Sequence, residues 1–133
     1  MQVRFAAVVL ALAIGSCTEP SSSLTGHWVE VVWPNRHLVL KSDRSFSNYG
    51  GSGSDYWRHE GRYDISGTSI EFQPQRYVSK AAPSSPETVV EPSPYASIFD
   101  DCVFEFEGRE LVLQYTTYPF DGPEPTTMRL RRE

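Results

Sequence analysis

Cysteine is nearly absent. The 133 residues hold two, Cys17 and Cys102. If either is otherwise engaged, the chain folds without a disulfide, whatever its compartment. Long apolar runs are absent too. The longest, residues 5–14 (FAAVVLALAI), has about half the roughly 20 residues a helix needs to cross a bilayer. Positive charge is in the minority, with 12 Lys and Arg against 17 Asp and Glu. Nucleic-acid binding wants a basic face, so it is excluded. After residue 16 no stretch repeats its apolar residues at helical spacing. No serine sits in a nucleophile elbow, and no glycine-rich loop opens a helix to cradle phosphate. Neither an enzyme nor a cofactor is expected.

What is present starts with a boundary. Met1-Gln2-Val3-Arg4 carries one positive charge, the apolar run follows, and then come Gly15, Ser16 and Cys17. That order describes a secretory signal, expected as a helix over 1–16. Ile14-Gly15-Ser16-Cys17 resembles the lipobox of bacterial lipoproteins. The resemblance implies that Cys17 becomes the first mature residue and carries lipid. Acyl chains contribute about 0.8 kcal/mol per buried methylene, and two or more hold firmly. Thr18 in place of aspartate implies sorting to the outer membrane, facing the periplasm. Residues 17–23 then read as a lipid-anchored tether and 24–133 as one domain with a modest core. Loss of Arg4 leaves residues 17–133 with 11 basic and 17 acidic side chains, a net of −6. Membrane contact would rest on the lipid alone.

The body alternates. In WRHEGRYDI, residues 57–65, Trp57, His59, Tyr63 and Ile65 share one parity, and Arg58, Glu60, Arg62 and Asp64 the other. Phe104 and Phe106 alternate with Glu105 and Glu107, and Leu111, Leu113 and Tyr115 continue the period. Polar turns and three longer breaks separate the runs. The breaks are GGSGS at 50–54, the four-proline stretch 80–97, which cannot be a central strand, and TYPFDGPEP at 117–125. Eight strands follow: 26–33, 36–41, 45–49, 56–65, 68–77, 100–107, 110–116 and 126–132. The class is all-β. An eight-stranded antiparallel up-and-down barrel removes every sheet edge; a two-sheet sandwich is the alternative. In a meander, the tight links at 42–44, 66–67 and 107–109 share one rim, and the three long breaks share the other. The tether joins the neat rim, so the irregular one points away from the membrane.

Leu24-Thr25-Gly26-His27-Trp28 opens the first strand and resembles the Gly-x-Trp start of lipocalins and their calycin relatives. The resemblance implies that Trp28 packs at the closed end of a lipocalin-like barrel under a basic residue of the last strand. Residues 128–133, MRLRRE, provide that strand, and Gly26, Trp28, Arg129 and Arg131 are the expected structural signature. The usual post-barrel helix is missing. The same opening resembles avidin, whose biotin-gripping residues have no counterparts here. Residues 102–115 bear a weaker likeness to periplasmic lysozyme inhibitors, but the second cysteine and the Ser-Gly-x-x-Tyr loop are lacking.

Candidate chemistry is sparse. A hairpin turning at Pro34-Asn35 sets Val32 opposite His37 and His27 opposite Ser42, so the histidines fall out of register and no metal site is expected. Cys102 sits among Asp100, Asp101 and Glu105, which oppose thiolate formation. Asp100-Asp101 reads as a solvated face. Binding is the remaining role. Trp28, Trp57, Tyr63, Phe72, Phe104, Phe106, Leu113 and Tyr115 would fill the lower barrel. A small apolar or amphipathic ligand would sit at the irregular rim, among Trp33, Tyr56, Tyr77, Tyr95, Tyr118 and Phe120. The alternatives are that these aromatics only seal the barrel, leaving a structural envelope lipoprotein, or that the rim grips a protein partner, as a lysozyme inhibitor does.

Overall fold

The structure, a computed structural model, describes residues 24–133; the signal, Cys17 and the tether lie outside the described residues. Nine strands follow: β1 (Gly26–Glu30), β2 (His37–Leu40), β3 (Ser45–Gly51), β4 (Tyr56–Ser66), β5 (Ser69–Lys80), β6 (Thr88–Val90), β7 (Asp100–Glu107), β8 (Glu110–Thr117) and β9 (Glu124–Arg132). Beyond Leu24 the described residues contain no helix. Eight of the strands pair antiparallel in meander order, and β1 on β9 closes the cylinder. It is an all-β up-and-down barrel rather than a sandwich. β6 is not one of these eight; it pairs only with the far half of β5, along the edge that faces β7.

Pairing explains the alternation. Residues directly opposite each other in a ladder share a face. Phe46↔Gly61, Asn48↔His59 and Gly50↔Trp57 therefore run up the inside of β3 and β4. Tyr63↔Phe72, Phe104↔Leu113 and Leu111↔Leu130 continue it around the ring. Leu38, Leu40, Phe46, Tyr63, Phe72, Phe104 and Leu113 make one buried cluster in the half nearest the neat rim. At Gly61 the walls touch closely. A bulge separates Glu60 from Gly61, and a Cβ there would lie 2.1 Å from the Gln73 carbonyl oxygen.

The closed end is sealed at Trp28, which is 1% exposed. Its Nε1–H donates to the Leu24 carbonyl at 2.8 Å, and an arginine guanidinium lies 4.3 Å above the ring. That arginine is Arg132, not Arg129 or Arg131. Trp28 stands opposite Arg132 and Val29 opposite Arg131, so odd positions of the last strand face outward. Arg129 instead pairs with Glu107 and Glu110 on the outer wall. Gly26 makes room for the arrangement, since a Cβ there would lie 2.3 Å from Arg132 Nη1.

The first hairpin also differs from expectation. Strand β1 stops at Glu30, and Val31–Arg36 form a loop closed by Glu30 N–H to the Arg36 carbonyl at 3.0 Å. The register is Val29↔His37 and His27↔Val39, not Val32 with His37. Val31, Val32 and Trp33 extend the apolar pattern in sequence, but all three are solvent-exposed.

Candidate functional site

Strands β5 and β7 neighbour each other, yet little of their length is joined by ladder pairs. One ladder pair, Ser69↔Val103, the Phe104 N–H to Thr68 carbonyl bond at 2.8 Å and an isolated bridge Phe72↔Ile98 join them. The cause is local. A register shift lies between Asp100 and Val103, and Phe99 and Asp101 have φ of 53° and 51°. Left-handed backbone is costly for a residue with a side chain, most of all a bulky one. The bulge turns the strand away and seats Phe99 against Phe72 and Tyr115, at ring separations of 5.3 and 4.9 Å.

A groove of about 760 Å³ fills the parted seam. Ile65, Ile70, Phe72, Ile98, Phe99 and Cys102 give it an apolar floor. Asp64, Glu71, Asp100 and Asp101 line it as well, with no lysine or arginine among the lining residues. Burial pushes the Cys102 thiol up to about 12. The thiol is therefore neutral and is no nucleophile. The arrangement offers an apolar bed with an anionic rim, which suits a molecule with an apolar body and a positive head.

The mouth at the irregular rim is built differently. Its inner face carries polar groups: Glu30, Asn48, His59 and Tyr115. Glu30 is 7% exposed; its carboxyl is raised because burial outweighs Arg36 at 3.8 Å. The His59 ring sits among Trp57, Tyr77 and Tyr95 at 5.7, 4.8 and 4.9 Å. Its Nδ1 is buried without a hydrogen-bond partner, and burial lowers its pKa.

Of the six aromatics expected to form a pocket, the structure brings Tyr77 and Tyr95 together, with rings 5.1 Å apart over His59. Tyr118 lines the seam groove. Tyr56 hydrogen-bonds Glu87. Trp33 lies under the Arg36 guanidinium at 5.9 Å but is otherwise exposed, and Phe120 projects into solvent. Sequence reasoning missed Ile98 and Phe99; Asp100 and Asp101, read as a solvated face, are half-buried and exposed respectively and line the groove. A signal was present: Cys102, Phe104 and Phe106 keep period two, but Phe99 stands three before Cys102. One extra residue in an alternating run marks a bulge.

No protein-family model, no curated protein and no solved structure matches the chain.

Proposed function

We propose that the chain is a lipid-anchored, lipocalin-like envelope protein that binds a small amphipathic molecule bearing a cationic group. The observation that carries the reading is the seam groove, with its apolar floor and four carboxylates. Its size lies within the range of small-molecule sites, about 300–1,000 Å³. The Ile14–Cys17 motif supports lipid on Cys17, outer-membrane placement and exposure to the periplasm. Leu24 lies at the closed end, so a tether over 17–23 would leave from there. The groove runs along the side wall, from Ser66 and Ser69 at the β4–β5 turn to Ser97 and Tyr118 of the long connections, so its opening faces sideways from the barrel. Octyltrimethylammonium and octyl sulfate, below their aggregation thresholds, separate the charge from the chain. The cationic probe should raise Tm, and Glu71→Gln with Asp101→Asn should cut the rise severalfold. Equal shifts with both probes, or none with either, would remove this reading.

A partner-binding module, such as a lysozyme inhibitor, is favoured by the exposed Trp33, Tyr118 and Phe120 at the irregular rim. Loss of lysozyme activity on mixing with the domain would support it.

A further inference from the structure

The wall opposite the groove carries an unassigned cluster. His27, at the start of β1, and His37, at the start of β2, both face outward, diagonal to each other across the corrected register. His27 Nδ1 lies 2.8 Å from Glu133 Oε2. A carboxylate only accepts, so Nδ1 holds a proton, and in the neutral ring Nε2 presents a bare lone pair. That lone pair accepts from His37 Nδ1–H, 2.8 Å away, and a metal that takes both nitrogens displaces this proton to the other ring nitrogen or to solvent. Tyr49 stacks on His37 at 4.7 Å and 7° and leaves its hydroxyl 3.3 Å from His27 Nε2. Backbone bonds hold the parts: Glu133 N–H to the His27 carbonyl at 3.0 Å, and Asn48 Nδ2 to the His37 carbonyl at 3.0 Å.

We propose that His27 Nε2 and His37 Nδ1 bind a divalent transition cation of the zinc class, with Glu133 holding the His27 ring. Two converging imidazoles suit zinc, copper or nickel, not magnesium or calcium. A tetrahedral ion about 2.0–2.1 Å from each nitrogen asks for a separation of about 3.3 Å. The half-exposed rings reach it by opening about half an ångström. Glu133 on Nδ1 fixes the tautomer that a ligating Nε2 requires, an arrangement metal-bound histidines share. The remaining positions face solvent and take water. This site is independent of the groove and of the function proposed for it.

The test is a zinc titration of the untagged full chain, followed by Tm and by imidazole NMR. Zinc should raise Tm and saturate at one equivalent, while magnesium does nothing. The ring signals of His27 and His37 should move and those of His59 stay. Glu133→Gln should weaken binding about 10–100-fold, and His27→Asn with His37→Ala should erase the Tm rise. An equal rise in the double variant, an equal effect of magnesium, or movement of the His59 signals in place of the other two would overturn the site. The NMR arm needs only the wild type, so it decides the matter even if the double variant fails to fold.

Discussion

His59→Phe should stabilise the protein. The ring is enclosed by Trp57, Tyr77 and Tyr95, and its Nδ1 is buried with no partner. An unsatisfied buried polar atom costs about 1–3 kcal/mol. The ring edge still meets solvent, so the lower figure applies. Phenylalanine keeps the shape and removes the nitrogen, for a gain of about 1 kcal/mol at pH 7.5, or about 4 °C in Tm for a domain of this size. The acid side adds a second signature. The folded pKa lies below the unfolded value of 6.5. As pH falls through 6.5 the unfolded chain takes the proton first, so this group's share of stability is present above 6.5 and declines below it. The ceiling is about 1.4 kcal/mol per pH unit; partial exposure brings it under about 1. The variant lacks this loss, so its advantage should widen from pH 7.5 to pH 5. Glu30 has the opposite sign, because its raised carboxyl favours the folded state in acid. It is present in both proteins and cancels in the difference. Urea unfolding followed by tryptophan fluorescence at four pH values measures this. A variant less stable at pH 7.5, or one with the wild-type acid slope, would show that Nδ1 has a partner.

Trp28→Ala should cost about 3–5 kcal/mol, since it empties the sealed end; thermal unfolding would register this as a large fall in Tm. Arg132→Met should cost about 1 kcal/mol through loss of the cation–π contact, and Arg131→Met almost nothing, in the same assay. Gly61→Ala should destabilise by about 1–3 kcal/mol, because the new methyl meets the Gln73 carbonyl; an unchanged urea midpoint would mean that the bulge relaxes freely. Cys102 should resist iodoacetamide at pH 8 in the folded chain and react in urea, as followed by mass spectrometry, since its thiol is buried and pushed up to about 12.

The barrel was legible because each strand buries one face only. Period two shows in every half-buried strand, and the turn residues between runs set the neat and irregular rims. What escaped depends on pairing between distant segments. β6 is three residues long and exposed throughout, so it leaves no pattern. Val31, Val32 and Trp33 have strand chemistry, but the β1–β9 ladder ends at Glu30↔Leu130; Val31 N–H still reaches the Arg129 carbonyl at 2.9 Å, and the chain then leaves β9 for the loop. The choice of Arg132 over Arg131 is one of parity, and parity slips with a single residue of register. The histidine cluster vanished for the same reason: a three-residue error in one hairpin moved His37 away from His27.

The seam follows from connectivity. β3–β4, β7–β8 and β8–β9 are hairpins, so their turns impose register over most of their length. β5 and β7 are the neighbours joined by the longest connection, residues 81–99, which sets no register. Two strands parted in this way would leave bare edges, costly if buried. Here the connection itself repairs them. β6 supplies bonds to Tyr77–Ser79, and Ser93 N–H reaches the Gln75 carbonyl at 2.9 Å. With the far half of that β5 edge bonded to β6, β7 need not close along it, and a groove stays open beside Ile65, Ile98 and Phe99, which are only partly buried. The mouth lacks this freedom, since Tyr95 from the same connection packs over His59 and Tyr77. One proline-rich segment thus covers the mouth and opens the wall, where the groove of about 760 Å³ exceeds the one of about 400 Å³ beside Tyr56 and Trp57 at the rim.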